Sequence, residues 1–303
     1  MTDVSVASAP DPSPAGRFSL RRWRPLVTAA VAVLAIGLIV FFGVRGSLLT
    51  LLILMGVAAF RGAWKTTACL FAVAVVGFYL EPRVPTPAQR ETARRIECMD
   101  NLQQLSIALH AYHNAYGSFP PAYVADKKGR PMHSWRVLIL PFLDQEELYK
   151  KYRFDEPWDG PNNKILVNEM PPCYRCPNQP AGFHLGETNY VAVVGPRAAW
   201  RTDRAVVREE IRDGDLWTIL VVETKDSGIP WTAPRDLPWP PMPTQVNPSS
   251  GAGISSRHPG GAMALFADGY VYFLPDSNKK VAAMLTIDGG EPVTEKDLEY
   301  SLE

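Results

Sequence analysis

Four cysteines and five histidines are the residues from which metal, redox or nucleophilic chemistry would have to come: Cys69, Cys98, Cys173 and Cys176, with His110, His113, His133, His184 and His258. Cys173 and Cys176 frame Cys-Tyr-Arg-Cys in a proline-rich stretch. A thioredoxin-like redox pair needs that spacing at a helix N-terminus within a βαβ unit, and the flanking sequence does not read that way. Structural zinc needs four ligands. Cys173, Cys176 and His184 supply three, and there is no second C-x-x-C. Three readings of the thiols therefore stand: a structural disulfide, free thiols, and metal or redox chemistry. The disulfide is the preferred one for an oxidising compartment. Its preferred pairing is Cys98 with Cys176, which would staple the loop to a helix and close a long segment. Cys69, inside an apolar stretch, reads as a small packing residue.

His110 and His113 are three apart and can share a helix face, but neither Glu-x-x-His nor His-x-x-x-His accompanies them. Nucleophile-elbow, phosphate-loop and dinucleotide fingerprints are absent. No catalytic residue, cofactor-binding residue, metal ligand or cofactor is assigned. The run from His258 through Pro-Gly-Gly-Ala-Met-Ala-Leu-Phe-Ala to Asp268 and Gly269 reads as a turn, a buried strand and a two-residue hairpin turn. An extended chain would hold His258 and Asp268 about 30 Å apart, so they meet only if the chain folds back. A structural hairpin is the leading reading of this run, and ligand binding by His258 or Asp268 is its alternative.

The elements that must position these residues follow from patterning. Residues 1–24 are rich in Pro, Ser and Ala and carry Arg17, Arg21, Arg22 and Arg24, the pattern of a disordered basic N-terminus. Residues 25–80 hold three apolar stretches, Leu26–Val44, Ser47–Phe60 and Thr67–Leu80, read as a transmembrane segment. Three helices would put the domain outside the cytoplasmic membrane, and two would return it to the cytoplasm. The four N-terminal arginines and the Arg61–Lys65 turn fit three. Residues 81–87 form a proline hinge. Residues 88–303 form an α+β domain. It opens with a helix from Ala88 to Tyr116 whose apolar stripe is Ile96, Met99, Leu102, Leu105, Leu109, Tyr112 and Tyr116. Short helices are expected at 134–140, 145–151 and 161–169, and strands at 188–194, 217–223, 262–267 and 270–274. The proline-rich residues 224–256 are expected to be a long surface loop. With 31 basic and 31 acidic residues the net charge is zero, which argues against a nucleic-acid partner.

These residues also resemble a large bacterial family with a prepilin-type cleavage and methylation N-terminus and a domain of unknown function ending in an H-X9-DG signature. The resemblance is carried by Arg90 to Cys98, Asn101 to His110, Tyr112 to Pro121, Ser134-Trp-Arg-Val-Leu, Phe154-Asp-Glu-Pro-Trp158, Tyr174-Arg-Cys-Pro177, Thr188 to Gly195, Gly228-Ile-Pro-Trp231, Pro234-Arg-Asp-Leu237 and His258 to Gly269. It implies a pilin-like fold, one long N-terminal helix packed on an antiparallel sheet, as in type II secretion pseudopilins. It also implies an exported, membrane-linked protein with no established enzymatic activity. The Gly-Phe-Thr-Leu-Ile-Glu processing site of that family is missing here. The expected function is a multi-pass inner-membrane protein displaying a structural or interaction domain on the outer side, with the lipid bilayer and envelope proteins as partners. The alternative is a membrane-anchored metal-dependent enzyme or sensor using His258 and Asp268.

Overall fold

The computed structural model describes residues 85–180 and 186–298. The expected membrane helices at 25–80 and His184 lie outside the described residues. Among the described residues no helix is long and apolar enough to cross a membrane.

The fold is mixed α+β, with one long helix against a mostly antiparallel sheet. Helix α1 runs Pro87–Tyr116. Its start is set locally: the Thr86 hydroxyl accepts from the Gln89 N–H, and the Gln89 side chain accepts from the Thr86 N–H. Gly117, at φ 78°, ends it by donating its N–H back to the His113 carbonyl. The buried face is Cys98, Asn101, Leu102, Leu105, Ser106, Ala108 and Leu109. Leu102, Leu105 and Leu109 fall where the period puts them. Ile96 and Tyr116 are instead 41 % and 66 % exposed, because the buried face belongs to the middle turns.

Short elements follow: strands β1 (Tyr123–Ala125) and β2 (Pro131–Ser134), then helices α2 (Trp135–Leu138), α3 (Glu146–Lys151) and α4 (Asn163–Leu166). The β1–β2 pair was not expected, being short and split by a turn around Gly129. Ser134 caps α2, accepting from the Arg136 N–H. Helix α3 follows Gln145 without a side-chain cap.

The main sheet has the order β5-β3-β4-β6-β7. Its strands are β3 (Tyr190–Val194), β4 (Ile219–Glu223), β5 (Leu237–Pro238), β6 (Gly261–Phe266) and β7 (Val271–Pro275). All pairings are antiparallel except β3 with β5, a two-residue parallel edge where Pro238, lacking an N–H, is tolerated.

Side chains alternate across a strand, and both faces of this sheet are buried. Tyr190, Ala192, Leu220, Met263 and Leu265 join α1 in one core. Val191, Val193, Ile219, Val222, Ala264 and Phe266 join a second core on the other face. The second core corrects the expected surface loop at 224–256. Ile229, Ala233, Met242, Val246 and Ile254 from that stretch cover the sheet, together with helix α5 (Val281–Met284). Apolar residues interleaved with its prolines make the stretch a lid of core rather than a solvated loop.

Candidate functional site

The site is assembled by four distant segments that converge beneath α1. Cys98 lies on its buried face. Cys176 follows the 3-10 turn Pro172–Tyr174, and its loop is held to the helix by Asn101, whose side-chain amide donates to the Arg175 carbonyl at 2.9 Å. The Asn189 side chain fixes the Cys176 backbone by accepting its N–H at 3.0 Å. Glu223 is the last residue of β4 and pairs with Tyr190 on β3, so the two side chains leave the sheet on one face, the face that α1 covers. His258 precedes β6, with its N–H held by the Ser256 hydroxyl at 2.9 Å.

One donor atom from each of Cys98, Cys176, Glu223 and His258 lies within 4.8 Å of the other three. All four residues are buried, at 0, 2, 1 and 2 % exposure in that order. His258 Nε2 is 3.6 Å from Cys176 Sγ, and its Nδ1 is 2.7 Å from a carboxylate oxygen of Glu91. The Tyr190 hydroxyl donates to Cys98 Sγ at 3.2 Å. The Met263 N–H donates to Glu223 at 3.3 Å. Asn178 donates to Glu91 at 3.1 Å.

Electrostatics within the cluster are strongly mutual. A hydrogen bond from the Cys98 thiol, overcoming burial and helped by His258 and Glu223, pulls Cys176 down to about 5. The same shared proton, together with burial, pushes Cys98 up. Burial and the neighbouring Cys176 charge push Glu223 well above the usual carboxylate range. Burial works against protonation of His258, yet Cys176, Glu223 and Glu91 outweigh it and raise the ring to about 9. Burial also opposes the Glu91 charge, but hydrogen bonds from His258, Arg94 and Asn178 bring that carboxyl down to about 2.

The expected pair Cys98 and Cys176 thus comes together as two free thiols, with no sulfur–sulfur bond between them. Cys173 is also a free thiol and stands outside the group, its pKa raised to about 12 by burial. The Cys-x-x-Cys spacing is therefore split between two environments.

His258 and Asp268 do not share a site. Asp268 caps its own turn, accepting from the Tyr270 N–H at 2.9 Å and from the Tyr272 hydroxyl at 3.2 Å. That turn is wider than the two-residue form expected. Gly269 donates to the Phe266 carbonyl at 3.0 Å and sits at φ 95°, a conformation glycine adopts freely. The Gly269 carbonyl accepts from Ser106 at 2.9 Å and from Gln103 at 3.2 Å on α1. At the other end of β6, Arg95 of α1 donates to the Pro259 carbonyl. The strand is fastened to the helix at both ends.

His110 lies with Nε2 3.0 Å from the Ala267 carbonyl, and His113 packs on the Phe119 ring at 5.0 Å; neither joins the cluster. Glu223 and Glu91 were missed by sequence reasoning. A carboxylate closing the otherwise apolar Ile-Leu-Val-Val-Glu run is a usable signal in retrospect. Glu91 carries none.

A family model described as "Protein of unknown function (DUF1559)" matches residues 87–229 and 220–280, together well over half of the chain. Nothing among curated proteins or solved structures matches it. The chain belongs to the DUF1559 family.

Proposed function

We propose that this DUF1559 chain is a membrane-anchored extracytoplasmic structural or interaction protein, built like a type II secretion pseudopilin and without catalytic activity. The observation that carries the reading is the burial of its chemistry. Cys98, Cys176, Glu223 and His258 come from four segments and face one another under α1, at no more than 2 % exposure. Catalytic and ligand sites are concave openings that admit a substrate. A closed set of contacts between helix, loop and sheet instead holds elements together.

The His258-X9-Asp268-Gly269 run supports the same reading, since both of its ends fasten β6 to α1. Such a helix-on-sheet unit is what a pseudopilin-like domain requires. The anchor rests on the uncharged stretch Leu26–Val44, long enough to span a bilayer, and on the two further apolar stretches before the proline hinge. The placement of the arginines and lysines favours an outward-facing domain, where the bilayer and envelope proteins are its partners.

A reporter enzyme active only outside the cytoplasm, fused after Glu303, tests this directly. Activity of that fusion, with silence of a reporter active only in the cytoplasm, is the expected result. The reverse pattern would overturn the exterior placement.

A further inference from the structure

We infer that Cys98, Cys176, Glu223 and His258 bind one divalent ion of the zinc class, forming a closed structural centre that joins α1, the Cys176 loop, β4 and the segment before β6. This inference rests on the interior of the domain alone and is independent of its placement at a membrane.

The geometry comes first. Zinc takes four ligands tetrahedrally, with Zn–S near 2.3 Å and Zn–N or Zn–O near 2.0–2.2 Å, which puts neighbouring donors roughly 3.3–3.8 Å apart. The four donor atoms here lie within 4.8 Å of one another. Closing onto an ion therefore draws the widest pair in by about an ångström, within the reach of side-chain rotation.

The donor chemistry selects the ion. Two sulfurs, an imidazole and a carboxylate are a borderline-soft set suited to zinc, whereas calcium and magnesium take oxygen ligands. Structural zinc sites are closed and four-coordinate, and burial to 2 % or less leaves no open position for a substrate.

The surroundings are arranged as they are around ligands. Glu91 holds the Nδ1 side of His258 at 2.7 Å, so that Nε2 points inward to the sulfurs, the carboxylate–histidine–metal arrangement. Asn178 in turn holds Glu91. Tyr190 donates to the Cys98 sulfur, and the Met263 N–H donates to Glu223, each supporting a negative ligand.

Among the described residues, the hydrogen-bond partners of the two thiols and of Glu223 include no Lys or Arg. A disulfide would employ only the two sulfurs and leave a buried carboxyl and an inward imidazole nitrogen beside them. A metal ion employs all four. On binding, the Cys98 thiol, the Glu223 carboxyl and the Nε2–H of the protonated His258 ring release their protons to solvent, while Cys176 coordinates as a thiolate. His258 keeps its proton on Nδ1, towards Glu91, and coordinates through Nε2.

The test uses the full chain purified in detergent with its cysteines reduced, stripped by chelator and reloaded with Zn2+ or Co2+. Elemental analysis should find one zinc per chain. The Co2+ form should show the strong visible bands of a tetrahedral site and near-ultraviolet thiolate-to-cobalt charge transfer. Cys173→Ser should keep both signals, whereas Cys98→Ser and His258→Ala should lose the metal. Glu91→Gln, a positioning change, should weaken binding by about 10–100-fold in chelator competition while keeping the two-thiolate cobalt spectrum. Should Cys98→Ser fail to fold, the unaltered chain's cobalt spectrum still decides. A reduced, folded chain that binds neither ion overturns the inference, and so does a Cys98–Cys176 disulfide in protein taken from native membranes.

Discussion

Tyr190 belongs to two buried polar centres that are completed in different ways. Its carbonyl accepts from the Arg136 guanidinium, which also reaches Asp236 at 2.5 Å and the Ser134 hydroxyl at 3.1 Å. Asp236 accepts further from the Ala192 N–H and the Trp135 indole. One cation, one anion and their hydrogen bonds close that centre from within the chain. At the other centre the Tyr190 hydroxyl donates to Cys98, where two thiols, a carboxyl and an imidazole converge. Here two sulfurs, a carboxylate and an imidazole offer more electron-pair donors than the one cation among them, His258, can satisfy, and on the inference above an added ion completes the set. Both centres hold elements together, the first complete as an ion pair within the chain and the second, on the inference above, completed by an ion.

Breaking the first centre should have the largest effect. Asp236→Ala leaves the Arg136 charge buried without its partner, and should lower stability by about 3–5 kcal/mol. Denaturant titration measures it, and zinc content should stay at one ion per folded chain. Loss of zinc in folded Asp236→Ala protein would show that the two centres are not separate.

Leu105→Ala, a cavity between α1 and the sheet, should lower stability by about 2–5 kcal/mol. An effect as small as that of a surface change would refute the assigned packing face. Smaller still is Ser106→Ala, at about 1 kcal/mol, because the Gly269 carbonyl keeps its bond from Gln103. Least of all is Ile107→Ala, at 61 % exposure, which should stay within about 0.5 kcal/mol of the parent.

The order of these effects marks what could be read from the sequence. The long helix was legible because Leu102, Leu105 and Leu109 repeat at helical spacing, and four of the five strands of the main sheet because glycine and Asp-Gly turns bound apolar runs. Ser106 was not placed on the buried face. Periodicity registers apolar residues, whereas Ser106 is buried by a hydrogen bond to a carbonyl that lies 163 positions away in sequence. The stretch 224–256 misled for the opposite reason: its prolines signal turns, and scattered apolar residues such as Val246 and Ile254 carry no period by which to see that they cover a sheet.

The candidate site was legible only in fragments. Cys98 and Cys176 were paired and His258 was singled out, but as parts of unrelated features. Ligands from four segments leave no spacing motif. Glu223 ends a strand whose other residues are all apolar, and Glu91 looks like any carboxylate on the first turns of a helix, so the shell around His258 emerges only in three dimensions.

X-ray absorption at the zinc edge, on the reloaded full-length protein, tests the central claim most directly. A first shell of two sulfurs near 2.3 Å and two nitrogen or oxygen atoms near 2.0–2.1 Å is the predicted result. A shell of nitrogen and oxygen alone would contradict the account, because it would place the ion away from Cys98 and Cys176.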